Sequence, residues 1–223
     1  MVLPDSFIPA AERYGLMSSI DRWVVENVFR IISECSAQSG GRPMAMCAIN
    51  LSGSTIGDDD FLAFLHEQFE CYAVSPTLIC FEITETSAIA NLGSAIRFIN
   101  DLKALGCHFS LDDFCAGMSS FAYLKHLPVD FLKIDGSFVK DMLDDPINRA
   151  MVEVINHIGH VMGKRTIAEF VESTHIEQAL IEIGVDYAQG YIVQRPQLFT
   201  FDSLLQRPVR SRSLTLKSPG TLR

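Results

Sequence analysis

The chain alternates short apolar runs with longer stretches of helical periodicity, and this alternation is the feature that most restricts its fold. The runs are apolar on both faces, as expected for strands covered by helices on both sides. Strands that alternate with helices indicate βαβ units and a mainly parallel sheet. Six strands are predicted, over residues 44–51, 77–84, 107–112, 131–134, 165–168 and 187–190. Five helices are predicted: one over residues 20–36, ahead of the first strand, and four between strands, over residues 59–72, 88–105, 146–162 and 175–183.

The helix predicted over residues 146–162 carries the clearest local signals. Asp145 can accept hydrogen bonds from the free N–H groups of the first turn, and Pro146 fits the first helical position. Two other helices are followed by Gly106 and Gly184, where a left-handed cap is expected. Within the helix over residues 146–162, six apolar residues recur at helical spacing and are predicted to form one buried stripe. They are Ile147, Met151, Val154, Ile155, Ile158 and Met162.

Length and composition suit one globular domain. The chain has 223 residues, of which 48% are hydrophobic and 20% are charged, values typical of a folded domain. We expect a barrel domain over residues 1–206 and a flexible basic C-terminal tail over residues 207–223. The net charge of −9 argues against a broad surface for DNA or RNA. A phosphate ligand stays compatible with this charge if metal ions or local cations reverse its sign at the site.

Cysteine usage and hydropathy predict the cellular compartment. The six cysteines form no CxxC pair and most lie within apolar segments, which favours reduced thiols over a disulfide framework. No apolar run reaches the roughly 18 residues that a membrane span requires. The N-terminus has none of the regions of a signal peptide. We therefore expect a cytoplasmic protein with no membrane span.

Polar side chains close all six predicted strands. In a β/α barrel the C-terminal ends of parallel strands meet at one rim, where active sites are built. Carboxylates crowded there would raise one another's pKa values unless positive charge lay between them. Oxygen ligands suit Mg²⁺ or Mn²⁺, and two adjacent aspartates could serve two ions about 4 Å apart. In chain order the strand-end residues are Asn50, Glu82, Glu85, Asp112, Asp113, Lys133, Glu169 and Gln189.

Each of these residues also has an ordinary structural interpretation. An Asn-Leu-Ser or Asp-Asp sequence after a strand commonly forms a turn or a helix cap. Lys133 could pair with Asp130 or Asp135 at the surface. What favours a functional site is the occurrence of such residues at all six strand ends.

The segment over residues 111–139, LDDFCAGMSSFAYLKHLPVDFLKIDGSFV, resembles a segment of the EAL-domain family that reads DDFGTGYSSLxYLxxLPVDxLKIDxSFV. The resemblance runs from about residue 4 to residue 196. Shorter matches support it: FIPAAERYGL at 7–16, NLS at 50–52, FEITET at 81–86, IAEFVES at 167–173 and QGY at 189–191.

This resemblance implies an α/β fold, a modified (β/α)8 TIM-like barrel, and a bacterial second-messenger enzyme. The implied reaction is hydrolysis of cyclic-di-GMP to linear pGpG with two Mg²⁺ or Mn²⁺ ions. The residues that match the family's ligands are Asn50, Glu82 and Asp112 for the first ion, and Asp112, Asp113 and Glu169 for the second.

The resemblance also implies roles beyond metal binding. Lys133 would orient or activate the attacking water, with Glu169 in the same catalytic group, and Gln189 would support that water or the phosphate. Glu85 would anchor the loop after Asp113. The implied partners are cyclic-di-GMP, a second copy in a homodimer, and upstream sensory or diguanylate-cyclase domains.

The chain departs from the family pattern in three places. The family's first strand, with E-A/V-L followed by an arginine, would precede Pro4 and is absent from this sequence, so we expect an N-terminally incomplete barrel. The Gly-Thr-Gly-Tyr that follows the two aspartates reads Cys-Ala-Gly-Met at 115–118, and the Gly expected after Glu169 is Phe170. We therefore expect weak or no turnover from this chain. The alternative is a non-hydrolysing cyclic-di-GMP receptor or a protein-interaction module.

Overall fold

The computed structural model describes residues 4–38, 46–115 and 122–199, which form six strands and eight α-helices. The strands are β1 (Cys47–Leu51), β2 (Ile79–Thr84), β3 (His108–Phe114), β4 (Phe131–Ile134), β5 (Arg165–Ala168) and β6 (Tyr187–Ala188). The helices are α1 (Pro4–Arg13), α2 (Met17–Gln38), α3 (Asp59–Tyr72), α4 (Glu85–Ala90), α5 (Leu92–Leu105), α6 (Gly136–Lys140), α7 (Pro146–Val161) and α8 (Thr174–Ile183). The six predicted strands are confirmed, and the tail predicted over 207–223 lies outside the described residues.

The predicted helices differ from the observed ones where local caps intervene. The sequence predicts one helix over residues 88–105, but the structure has two helices there. The helix is interrupted at Asn91, whose side chain accepts a hydrogen bond from the Ser94 N–H and caps α5. Helix α6 has only five residues, too few to show a period, and is capped by Asp135. Helix α1 contains Pro9. Because proline is unfavourable inside a helix, the sequence does not indicate a helix here.

The chain divides into two compact units. The first consists mainly of Met1–Ser110 and Phe121–Val129, and the second mainly of Leu111–Ser120 and Asp130–Gln197. In the first unit β1 pairs with β2, and in the second β4 pairs with β5 and β5 with β6. All three pairings are parallel, as the alternation of strands and helices predicts.

Each unit has its own apolar core. In the first, the Phe81 and Phe109 rings lie 5.7 Å apart between centroids, and Phe29 packs on Phe69 at 4.7 Å. In the second, all four residues of β4 are buried. Among the described residues, no helix combines the length and the apolar character that crossing a bilayer requires.

Helix α7 shows that the predicted buried stripe is partly wrong. Its cap is confirmed, because the Asp145 side chain accepts a hydrogen bond from the Ile147 N–H. Ile147, however, is 73% exposed and Val154 is 45% exposed. The buried face consists instead of Val152, Ile155, Asn156 and Gly159. A polar residue and a glycine occupy this face, and Ile155 is the member of the predicted stripe that is fully buried, so hydrophobicity alone located the buried face only in part.

Asn156 is buried on α7 because it bonds to neighbouring elements of the same unit. It accepts a hydrogen bond from the Thr166 hydroxyl at 2.6 Å and donates one to the Ile183 carbonyl at 3.2 Å. Two predicted glycine caps are confirmed: Gly106 and Gly184 both have left-handed backbone conformations, with φ of 108° and 87°.

Candidate metal centre

Two adjacent aspartates near the end of β3 approach each other because the backbone leaves its extended conformation. Neighbouring side chains of a regular strand point to opposite faces. Asp113 has a φ of 52°, in the left-handed region that non-glycine residues seldom adopt. Its N–H donates a hydrogen bond of 3.0 Å to Asp112 Oδ1. This turn lets consecutive carboxylates serve the same site.

The neighbouring strands of the second unit supply a lysine and a glutamate. Lys133 is the third residue of β4 and is 3% exposed. Glu169 follows the last residue of β5 directly, and its N–H donates a hydrogen bond of 3.2 Å to the Ile134 carbonyl. The Glu169 side chain is buried. A buried lysine and a buried glutamate need partners, since an unpaired charge in the interior is unfavourable.

These four side chains meet in one cluster. The Lys133 ammonium lies 2.9 Å from Asp112 Oδ1 and 2.6 Å from Glu169 Oε1. One carboxylate oxygen from each of Asp112, Asp113 and Glu169 lies within 4.8 Å of the other two. The alternative in which Lys133 only balances a surface aspartate is therefore wrong, because its ammonium is buried between two of the candidate ligands.

The electrostatics of the cluster favour additional positive charge. Three carboxylates and one ammonium leave a formal charge of −2. Burial raises the pKa of Glu169 above its ordinary value, and Lys133 opposes that shift. Partial burial also raises the pKa of Asp113, as does repulsion from Asp112 and Asp135. Raised pKa values mean that the ionised carboxylates are under-compensated by the protein itself.

The donor set fits a divalent cation. Asp112, Asp113 and Glu169 offer only oxygen atoms, the donors that hard ions such as Mg²⁺, Mn²⁺ and Ca²⁺ prefer. The excess of negative charge at this donor set favours divalent cations over neutral ligands. In this unit, Asp112, Asp113 and Glu169 are the residues that would hold such an ion.

The first unit contains the other predicted ligands. Asn50 and Glu82 are direct partners in the parallel register of β1 and β2, so the two strand ends place them side by side. The Asn50 residue is exposed, whereas Glu82 is buried. A carbonyl oxygen and a carboxylate on neighbouring strands are again suitable donors for a hard cation.

Glu85, the predicted loop anchor, is buried at the start of α4. The Tyr123 hydroxyl donates a hydrogen bond to its Oε1 atom. Tyr123 belongs to the segment that follows the altered loop, and residues 116–121 of that loop lie outside the described residues. The anchoring role of Glu85 therefore stays a prediction, with Tyr123 as an observed partner that the sequence did not reveal.

Gln189 holds the main chain beside Glu169. Its N–H donates to the Ala168 carbonyl at 2.8 Å, and its carbonyl accepts from the Val171 N–H at 3.0 Å. These two bonds bracket Glu169. The next residue, Gly190, passes so close to Val171 that a Cβ on it would overlap the Val171 main chain. Gln189 itself is exposed, and its predicted contact with water or phosphate stays a prediction.

Phe170 makes a contact that the sequence could not predict. Its backbone is left-handed, with a φ of 51°, which explains why glycine suits this position. A Cβ built on Gly136 would overlap the Phe170 ring, and the Lys140 ammonium lies 4.0 Å from the ring centroid. The phenyl ring thus rests on the start of α6, 34 positions away in sequence.

Replacing Gly136 with alanine is expected to lower the free energy of unfolding by about 1–3 kcal/mol, because the added methyl group overlaps the Phe170 ring and forces it to move. Urea denaturation of both chains measures the difference. In a Phe170→Ala background the same Gly136 substitution should be much less destabilising. An equal loss in both backgrounds would show that the ring does not rest on Gly136.

The fold and this cluster define a class: an α/β protein whose second unit carries an acidic centre at its strand ends. Within that class, the chain belongs to the EAL-domain family, whose model matches residues 1–196. The family resemblance drawn from the sequence motifs is thereby confirmed.

Several curated relatives have closely similar sequences. The chain is 40% identical over 197 residues to the cyclic di-GMP phosphodiesterase PdeB of Shewanella oneidensis, covering 88% of this chain and 23% of that protein. It is 35% identical over 197 residues to the cyclic di-GMP phosphodiesterase PdeF of Escherichia coli, covering 88% and 26%. It is 29% identical over 196 residues to the bifunctional diguanylate cyclase/cyclic di-GMP phosphodiesterase MucR of Pseudomonas aeruginosa, covering 88% and 28%. The chain thus spans about a quarter of the length of these relatives.

Solved structures confirm the fold. The PaMucR phosphodiesterase in its c-di-GMP complex matches with a TM-score of 0.83 at 28% identity, covering 91% of this chain and 81% of that one. The FimX EAL domain from Pseudomonas aeruginosa bound to c-di-GMP matches with a TM-score of 0.80 at 32% identity, covering 88% and 77%. The predicted α/β fold of the TIM-like barrel type is therefore confirmed.

Proposed function

We propose that this chain is an EAL domain of the cyclic-di-GMP phosphodiesterase type, which acts on cyclic-di-GMP with the help of two Mg²⁺ or Mn²⁺ ions. The observation that carries the proposal is the cluster of Asp112, Asp113 and Glu169 around the buried Lys133 ammonium. Relatives named cyclic di-GMP phosphodiesterases and structures bound to c-di-GMP support the choice of ligand.

The chain's own residues divide the work of binding and orientation. Divalent cations, when bound, supply charge neutralisation and polarise the phosphodiester. Asp112 and Glu169 hold the Lys133 ammonium at 2.9 Å and 2.6 Å, so the lysine has a fixed place from which to orient water or phosphate oxygen. Because Lys133 is buried, solvent screens the charge of its ammonium little, and this charge acts strongly on groups at the site. Glu169 takes part both as a ligand and as the partner that fixes the lysine.

The remaining ligands are assigned by the resemblance. Asn50 and Glu82 are proposed to bind the first ion together with Asp112, and their adjacent positions in the β1–β2 register support this assignment. Gln189 is proposed to support the attacking water or the phosphate, and Glu85 to anchor the loop after Asp113.

A non-hydrolysing cyclic-di-GMP receptor is the second candidate, and Phe170 favours it. This half-exposed phenyl ring follows a candidate metal ligand directly, at a position where the family has glycine. An aromatic side chain there adds a bulky, half-exposed apolar surface directly after Glu169, with the Lys140 ammonium 4.0 Å from the ring centroid. Such a change is compatible with ligand binding even where turnover is weak or absent.

The chain is further proposed to act in the cytoplasm, as a homodimer and within a longer protein that carries sensory or diguanylate-cyclase domains. The length of the relatives and the bifunctional name of MucR support the last part. Light scattering of the purified chain tests the dimer.

One experiment tests the function: the purified chain is titrated with cyclic-di-GMP in the presence of Mn²⁺, while pGpG is measured by chromatography. Formation of pGpG supports the phosphodiesterase. Saturable binding without product supports the receptor. The absence of both binding and product, in a chain that melts cooperatively, would overturn both candidates.

A further inference from the structure

A buried carboxylate outside the candidate metal centre holds the turn that follows Asn50. Asp21 lies on α2 and is 4% exposed. Its Oδ2 atom accepts hydrogen bonds from the Ser52 N–H at 3.0 Å and from the Ser52 hydroxyl at 2.6 Å. The Thr55 hydroxyl donates a third hydrogen bond to the same atom. One oxygen therefore gathers three donors from a single turn.

This network compensates the buried negative charge of Asp21, and among the described residues all of its donors belong to one turn. Ionised carboxylates leave water only where donors replace the lost hydration. In the described part of the chain, the hydrogen bonds of Asp21 all come from Ser52 and Thr55. Thr55 is completely buried, and its N–H donates to the Ser52 carbonyl at 3.2 Å. The turn is thus stabilised by its own backbone hydrogen bond and is bonded to α2 through Asp21.

Ser52, which bonds to Asp21, lies two residues after the candidate ligand Asn50. Asn50 is the fourth residue of β1, Leu51 ends the strand and is buried, and Ser52 gives its N–H to Asp21. The register of β1 with β2 fixes Asn50 on one side, next to Glu82. Asp21 fixes the backbone on the other side. With both ends held, the direction in which the Asn50 amide leaves the strand is restricted.

We propose that Asp21 is a positioning residue for Asn50: it holds the turn after β1 so that the Asn50 amide presents its oxygen to a divalent cation. The inference rests on the proposed function, in which Asn50 is a metal ligand. Supporting groups of this kind are worth roughly 10–100-fold in metal affinity in metal sites generally.

The test uses the whole chain, the variant Asp21→Ala, and two readouts. Amide hydrogen exchange of Ser52 should become roughly tenfold faster or more in Asp21→Ala, because its acceptor is lost. Mn²⁺ affinity, measured by titration calorimetry, should fall by roughly tenfold. The conservative variant Asp21→Asn keeps an acceptor oxygen and should restore most of the affinity.

Coupling to Asn50 separates positioning from general stabilisation. In an Asn50→Ala background, Asp21→Ala should cause no further loss of Mn²⁺ affinity, since the ligand it positions is gone. Val25→Ala, at a fully buried position one turn along α2, serves as the control: it should lower stability and leave Mn²⁺ affinity unchanged. If Asp21→Ala does not fold, Thr55→Val replaces it, because this change removes one donor at nearly constant shape.

The outcomes are distinct. If the wild-type chain binds no Mn²⁺, the proposed function fails and this inference falls with it. If the wild type binds Mn²⁺ but the losses from Asp21→Ala and Asn50→Ala multiply, the inference alone is overturned. If Val25→Ala weakens Mn²⁺ binding as much as Asp21→Ala does, Asp21 contributes only stability and the inference is likewise overturned.

Discussion

Replacing Asp112 with asparagine is expected to reduce Mn²⁺ affinity and any pGpG formation strongly. Asp112 is one of three carboxylates in the cluster and also pairs with Lys133 at 2.9 Å. Asparagine keeps the size of the side chain but removes its charge. The loss should be at least as large as the roughly 10–100-fold that follows mutation of an outer-shell partner. Titration calorimetry with Mn²⁺ and chromatography of the nucleotide measure the two effects.

Asp144→Asn provides the matched control for this change. Asp144 is an exposed aspartate of the same unit, and its loss should leave Mn²⁺ affinity and product formation unaltered. If Asp112→Asn bound Mn²⁺ as tightly as the wild type, the cluster would not be the metal centre.

Replacing Lys133 with methionine is expected to lower the free energy of unfolding by about 3–5 kcal/mol when divalent cations are removed with a chelator, because the buried Glu169 loses its partner. The side chains of Lys133 and Glu169 are only 3% and 10% exposed, so solvent screens the pair little. Urea denaturation at neutral pH measures the loss. Because the folded state then binds a proton on Glu169 more tightly than the unfolded state does, the loss should shrink as the pH falls.

Two further variants test the cause of that loss. Adding Glu169→Gln to Lys133→Met removes the unpaired charge and should restore a substantial part of the stability. Lys125→Met, at an exposed position, should change stability little, as expected of surface substitutions. A Lys133→Met chain as stable as the wild type at neutral pH would contradict the paired arrangement.

The strand ends could be predicted because their signal is local. Strands β4 and β5 have the predicted bounds, since each is a short apolar run between clear turn residues. Glu169 follows its strand directly, as the sequence suggests. Parallel pairing followed from alternation with helices, and it places Asn50 beside Glu82. Periodicity and the position of acids along the chain are therefore enough to predict the strands, their parallel pairing and the acidic residues at their ends.

The contacts that shape the site could not be predicted, because they join residues distant in sequence. Nothing local distinguishes a surface pair for Lys133 from the buried pair with Asp112 and Glu169. The ring of Phe170 on Gly136 depends on how β5 returns beside α6. The bonds from Ser52 to Asp21 span 31 positions. Each depends on tertiary packing, which a single sequence does not specify.

The backbone of Asp113 has a consequence for substitution at that position. A residue with positive φ tolerates asparagine or glycine far better than it tolerates a longer or β-branched side chain. Glutamate, which preserves the negative charge, should therefore fold less readily here than neutral asparagine. At residue 113, the amino acids that best tolerate a positive φ are not those that best preserve the negative charge. In a library of all substitutions at this position, thermal stability should follow the first property and cation binding the second.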